Sequence, residues 1–101
     1  MENVQYALRL IDAVAKNTKN SLGTVAHKLG EEGVAKLIYN APINRHICME
    51  RVVREIIADY LITPGIHYYS APNIPQILAF VEFEADKNLY GQALYSILTH
   101  I

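Results

Sequence analysis

Apolar residues recur at α-helical spacing along most of this chain, and this periodicity constrains the fold more than any other feature of the sequence. The apolar positions of the first segment are Val4, Leu8, Ile11 and Ala15. The charged residues of the segment lie largely elsewhere, so the pattern predicts a helix over residues 3–16. Because an apolar stripe must be buried against another element, several such segments are expected to pack together.

Four further segments show the same period. Their apolar positions are Leu22, Val25, Ala26 and Leu29; Val34, Leu37, Ile38 and Ala41; Val53, Ile56, Ile57, Tyr60 and Leu61; and Leu89, Ala93, Ile97 and Ile101, with Tyr90, Leu94 and Leu98 beside them. Residues 30–33 predict a turn, Pro42 predicts a helix end, and Asp86 is predicted to cap the last helix. We therefore expect a mainly α fold, a compact bundle of about five helices.

The segment between the last two predicted helices is ambiguous. Apolar residues alternate with other side chains at Ile77, Ala79, Val81 and Phe83, but Leu78 and Phe80 are apolar as well. Periodicity alone does not separate two short strands from a helix that begins after Pro75. We favour the strands slightly, which would add a short β-hairpin and make the fold α+β.

Length and cysteine content favour one domain in a reducing compartment. A chain of 101 residues buries one core without disulfides, and no linker is evident, so we expect a single domain over residues 1–101. Cys48 has no partner for an internal disulfide, and the N-terminal residues lack a signal-peptide pattern, so a cytoplasmic location is expected. The longest uncharged run, residues 61–81, is interrupted by prolines and is not expected to span a membrane.

Charge and composition favour protein partners over nucleic acid. The formal net charge is −1, from 9 basic and 10 acidic residues, which gives no electrostatic reason to bind an anionic polymer. Hydrophobic residues make up 51% of the chain and charged residues 19%, compared with about 25% charged residues in average domains. The spare apolar surface predicts self-association or a protein partner.

Motifs that carry chemistry are weak. The chain has no glycine-rich phosphate loop and no serine in a nucleophile elbow. His46 and Cys48, with Glu50 nearby, are too few for a structural zinc site and poorly spaced for a nucleophilic pair on a helix. Glu82 and Glu84 would share a strand face, which is more typical of the solvent side of an edge strand than of paired-carboxylate chemistry. We predict no enzyme activity, no metal and no cofactor.

The segment 21–40 invites comparison with a DNA-binding helix-turn-helix. Ala26 and Gly30 have the four-residue separation common in such motifs, but Glu31 stands where an apolar residue usually follows the glycine. A basic cluster is absent from the second helix. Two packed helices joined at a glycine are the commoner explanation, so a DNA-binding transcriptional regulator is an alternative only.

An interaction surface is predicted in the uncharged run at His67, Tyr68, Tyr69 and Ile74. Tyrosines are enriched in interfaces, and prolines reduce the entropy lost when a loop is ordered. The same residues could instead simply close the core over the helices. Our leading hypothesis is a noncatalytic protein-interaction or regulatory module that forms a homo-oligomer or binds a protein partner. Another alternative is an oligomeric protein whose tyrosines stack a nucleotide while nearby basic residues meet its phosphate.

Nine positions carry a resemblance that covers about half of the chain. They are Ile11, Asp12, Ala15, Thr18, Leu29, Gly33, Leu37, His46 and Val53. From Ile11 to Tyr60 the order of elements resembles short, uncharacterised bacterial proteins encoded beside ADP-ribosyltransferase-type toxins. The resemblance implies an accessory or antitoxin-like role in a bacterial or phage defence setting. It assigns no functional residue.

Overall fold

The computed structural model describes residues 1–84 and 89–101 and consists, over this part of the chain, of six helices. They are α1 (Glu2–Thr18), α2 (Leu22–Tyr39), α3 (Ala41–Asn44), α4 (Met49–Asp59), α5 (Ile74–Glu84) and α6 (Tyr90–Thr99). The radius of gyration is 12.3 Å, close to the value of about 13 Å expected for a compact domain of 100 residues. The prediction of a compact, mainly α fold is confirmed.

Helix α1 forms the centre of the bundle and packs against each of the other five helices. Its predicted stripe is buried, with Leu8 and Ile11 fully inaccessible to solvent. Helix α4 packs on it through Val53 and Ile56. Both helices are amphipathic, with one apolar face and one charged face. Leu61, which the sequence pattern places on the apolar face of α4, lies beyond the end of that helix and is 77% exposed.

Helix α2 contains a break at one residue. Gly30 has φ 72° and ψ 168°, so two helical segments meet there without the longer turn predicted over residues 30–33. A positive φ is accessible to glycine at little steric cost. Val25 and Val34 are fully buried on the two sides of the break, and α2 makes its most extensive packing with α6.

Helix α5 replaces the predicted β-hairpin, which is wrong: the described residues contain no strand. The Asn73 side chain accepts a hydrogen bond from the Gln76 backbone N–H at 3.2 Å and so caps the first turn. Pro75 lies in that turn, where a helix needs no backbone donor. Ile77 and Val81, four residues apart, then point into the core.

Helix α6 closes the bundle with Leu94 and Leu98, both fully buried. Leu89 and Ile101, which the sequence pattern placed on an apolar row of this helix, lie outside its ends and are exposed. The predicted cap, Asp86, lies outside the described residues.

Residues 61–73 link α4 to α5 without regular secondary structure. Within the ranges that the structure describes, none of the helices combines the length and apolar character needed to cross a membrane.

Candidate functional site

The linking segment 61–73 is hydrogen-bonded to the end of α1. The Gly65 N–H donates to the Thr18 carbonyl, and the His67 N–H donates to the Lys19 carbonyl, each at 2.8 Å. Carbonyls at a helix C-terminus lack partners within the helix, so these two bonds satisfy groups that would otherwise need water. The segment is therefore fixed to α1 through its backbone.

Asn20 and Gly65 make this contact close. The Asn20 Nδ2 donates to the Thr63 carbonyl and to the Thr18 hydroxyl oxygen, both at 2.9 Å. A Cβ added at Gly65 would overlap the Asn20 side-chain oxygen and lie 2.6 Å from the Lys19 carbonyl oxygen. Only glycine fits at this position without displacing the segment.

Tyr69 provides a side-chain attachment to the same helix. Its hydroxyl donates to Asp12 Oδ2 at 3.1 Å, and Lys16 Nζ lies 5.2 Å from the centre of its ring. The distance to Lys16 is within cation–π range. Partial burial, the hydrogen bond to Asp12 and the negative charge of that carboxylate together raise the pKa of the Tyr69 hydroxyl above its usual value.

The four predicted surface residues have different roles in the structure. Tyr68 is 93% exposed, whereas Tyr69 is turned onto α1. His67 is exposed and lies between two surface depressions. Ile74 is half-buried and packs against the core. The structure thus places three of the residues on one continuous segment and assigns Ile74 to closing the bundle.

The first depression, the lysine–tyrosine pocket, has a volume of about 400 Å³ and lies between the end of α1 and the segment 65–69. Its side chains come from Lys16, Lys19, Ile66, His67, Tyr68 and Tyr69. Lys19 has φ 57°, in the left-handed region that L residues seldom adopt. The pocket combines positive charge with aromatic surface.

The second depression is an apolar groove of about 520 Å³ between the beginning of α2, the segment 67–73, α5 and the end of α6. Its main apolar side chains are Leu22, Ile77, Phe80, Ile97 and Ile101. Phe83, one turn beyond Phe80 on α5, is 88% exposed. We call the surface formed by the exposed residues Phe80, Phe83 and Ile101 and by half-buried Ile97 the α5–α6 face.

Sequence reasoning missed the α5–α6 face because it favoured strands there. A signal was present: residues 77–81 form an uninterrupted apolar run, and a helix that is apolar on all sides is normally covered on all sides. In this bundle only Ile77 and Val81 of α5 are buried. Glu82 and Glu84 are exposed on the same helix, so their predicted place on an edge strand is wrong.

Candidate chemical groups lie apart from these depressions. Cys48 is exposed at the beginning of α4, and His46 is exposed two residues earlier. Among residues 1–84 and 89–101, no three His, Cys, Asp or Glu side chains lie together as a metal-binding group.

Comparison of the chain with protein-family models, curated proteins and solved structures yields no significant match. The resemblance over Ile11–Tyr60 therefore stays a hypothesis.

Proposed function

We propose that this chain is a cytoplasmic, noncatalytic protein-interaction module that self-associates through the α5–α6 face. The observation that carries the proposal is the exposure of two phenylalanines one turn apart on a largely apolar helix, with Phe80 51% and Phe83 88% exposed. Burying a phenylalanine side chain stabilises an assembly by about 1.5–3 kcal/mol relative to leaving it in water. A contact that covers both rings supplies a substantial part of a dimer's binding energy.

The shape of the face suits a second copy of the same chain. Phe83 is almost fully exposed on α5, and the apolar groove lies beside Phe80 on that helix. In a two-fold dimer, the same patch of one copy contacts that patch of the other copy. The patch must therefore carry both a protruding surface and a concave one. Aromatic side chains near a concave apolar surface meet this requirement.

Charge also permits self-association. The net charge of −1 gives little repulsion between two copies of the chain. Glu82 and Glu84 are exposed on α5 beside the phenylalanines and would form a polar rim around the apolar contact. A partner protein of another sequence would use the same face.

The biological setting proposed for this oligomer is that of an accessory or antitoxin-like regulator in a bacterial or phage defence system. Support for the setting comes from the resemblance over Ile11–Tyr60. The exposed α5–α6 face supports an interaction role independently of that resemblance.

The DNA-binding alternative has no comparable support. Glu31 and Glu32 are exposed at the beginning of the second segment of α2, where a recognition helix would approach the bases. Carboxylates there would be repelled by DNA phosphates. A transcriptional regulator would need its basic residues elsewhere.

Hydrogen exchange at low and high protein concentration tests the proposed interface. Backbone amides in residues 74–84 and 97–101 should exchange more slowly at high concentration, because assembly removes their surface from water. The double variant Phe80→Ser/Phe83→Ser should lose this concentration dependence. Tyr39→Ser, which changes an exposed aromatic on α2, should retain it. Equal exchange at all concentrations in the unaltered chain would overturn the proposal.

A further inference from the structure

We infer that the lysine–tyrosine pocket binds a nucleoside phosphate. This site is distinct from the α5–α6 face, although the two depressions adjoin at His67. The volume of about 400 Å³ falls within the range of roughly 300–1,000 Å³ typical of small-molecule sites. The ligand class follows from the charge and the aromatic surface of the pocket.

Two cations supply a phosphate-binding end. Lys16 and Lys19 are three residues apart and both line the pocket. Among the described residues, neither lysine forms a salt bridge with a carboxylate. Asp12, the acidic group attached to this region, accepts the Tyr69 hydroxyl hydrogen bond. That bond comes from a neutral hydroxyl and leaves the carboxylate charged, but Asp12 does not line the pocket, and the two lysines outnumber it.

The end of α1 would ordinarily oppose an anion, because unpaired carbonyls give a helix C-terminus partial negative charge. Here the Thr18 and Lys19 carbonyls accept hydrogen bonds from Gly65 and His67. These bonds reduce the negative potential that an approaching phosphate would meet. The linking segment thus makes the end of the helix compatible with an anionic ligand.

The aromatic side chains supply a surface for a base. Tyr68 is 93% exposed and free to stack on a planar ring, while Tyr69 is held in place by Asp12 and Lys16. Ile66, 97% exposed, adds apolar surface at the same pocket. Tyrosine rings stack on bases with little preference for sequence, so this surface suits a planar base.

The backbone at Lys19 ends α1. Its φ of 57° is the left-handed conformation common at a helix C-cap, and the Lys19 and Asn20 N–H groups both donate to the Ala15 carbonyl. The cap fixes the start of the Lys19 side chain, which lines the pocket. The same conformation allows a clean test, because Lys19→Gly removes the charge without straining the backbone.

Isothermal titration calorimetry with adenosine triphosphate at low salt tests the inference. We expect one ligand per chain, and a loss of affinity of at least about tenfold in both Lys19→Gly and Tyr68→Ala, since one removes a charge contact and the other a stacking surface. Lys36→Gln and Tyr39→Ala change exposed side chains of the same types on α2 and should bind as the unaltered chain does. Binding should persist in Phe80→Ser/Phe83→Ser, which separates this site from self-association.

Two comparison ligands sharpen the test. Pyrophosphate and adenosine should each bind at least about tenfold more weakly than the nucleotide, because each engages only one end of the pocket. Equal affinity for pyrophosphate would reduce the site to an anion site and overturn the inference. Absence of heat with adenosine triphosphate, or unchanged affinity in both pocket variants, would also overturn it.

Discussion

The Tyr69 hydroxyl donates a hydrogen bond to the Asp12 carboxylate at 3.1 Å, although the two residues are 57 positions apart in the chain. Together with the backbone bonds from Gly65 and His67, this contact joins the linking segment to the central helix. It also gives the two neighbouring tyrosines different environments, since it turns Tyr69 towards α1 while Tyr68 faces solvent. The segment therefore combines a structural attachment with an exposed aromatic surface.

At alkaline pH, the free energy of unfolding should depend on whether the Tyr69 hydroxyl is protonated. Its folded-state pKa is raised by burial, by the hydrogen bond to Asp12 and by the charge of that carboxylate, so the folded protein holds the proton more tightly than the unfolded chain does. The stabilisation of the folded state by the protonated hydroxyl is complete below the unfolded pKa of about 10, and it is lost as pH rises through the folded pKa.

Urea unfolding of the unaltered chain and of Tyr69→Phe measures this contribution. At pH 8 the variant should be less stable by about 0.5–1 kcal/mol, because it lacks the partly exposed hydrogen bond. The difference between the two proteins should shrink above pH 10. A difference that stays constant from pH 8 to 11 would contradict the raised pKa of the Tyr69 hydroxyl in the folded protein.

Gly65→Ala should displace the linking segment. The added methyl group would collide with Asn20 and with the Lys19 carbonyl oxygen, 2.6 Å away, and would disturb the neighbouring backbone hydrogen bonds. We expect a loss of about 1–3 kcal/mol in the free energy of unfolding. Ser70→Ala, an exposed change in the same segment, is the control and should cost less than about 0.5 kcal/mol. Equal stability of the two variants would show that the contact is not close.

Lys19→Gly should leave stability unchanged or raise it by up to about 1 kcal/mol, because glycine adopts the left-handed conformation without a Cβ penalty, while its greater freedom in the unfolded chain offsets part of the gain. Lys16→Gly lies inside α1 and should cost about 1 kcal/mol. Thermal and urea unfolding of both variants check this contrast. A destabilised Lys19→Gly would mean that the lysine side chain itself supports the fold.

Leu94→Ala should destabilise the bundle strongly. Leu94 is fully buried in α6, and truncation of a buried leucine costs about 2–5 kcal/mol. Leu89→Ala, just before the same helix, removes the same atoms from a residue that is 47% exposed and should cost much less. Similar losses in the two variants would contradict the packing of α6 against α2.

The sequence pattern predicts correctly the helices that bury one face and expose the other. Helix α1 buries Leu8 and Ile11 and exposes charged residues, so its period is visible in the chain itself. Helix α5 is apolar on most sides, so it shows no one-sided helical period, and its alternating residues predict a strand instead. The Asn73 cap and Pro75 were the local signals for a helix.

The sequence predicts four surface residues, which are His67, Tyr68, Tyr69 and Ile74, but not their different orientations. Tyr68 and Tyr69 are the same residue type, and their different orientations depend on Asp12, which lies far away in the sequence. The hydrogen bonds of Gly65 and His67 likewise depend on carbonyls at the end of α1. Periodicity reports burial within an element, whereas these contacts arise from tertiary packing.

Sedimentation equilibrium over a wide range of protein concentration tests the central claim, self-association through the α5–α6 face. The unaltered chain and Tyr39→Ser should approach twice the chain mass of 11.4 kDa as concentration rises, whereas Phe80→Ser/Phe83→Ser should stay at the single-chain mass. A single-chain mass for the unaltered protein at every concentration, or an unchanged assembly in the double variant, would contradict the claim.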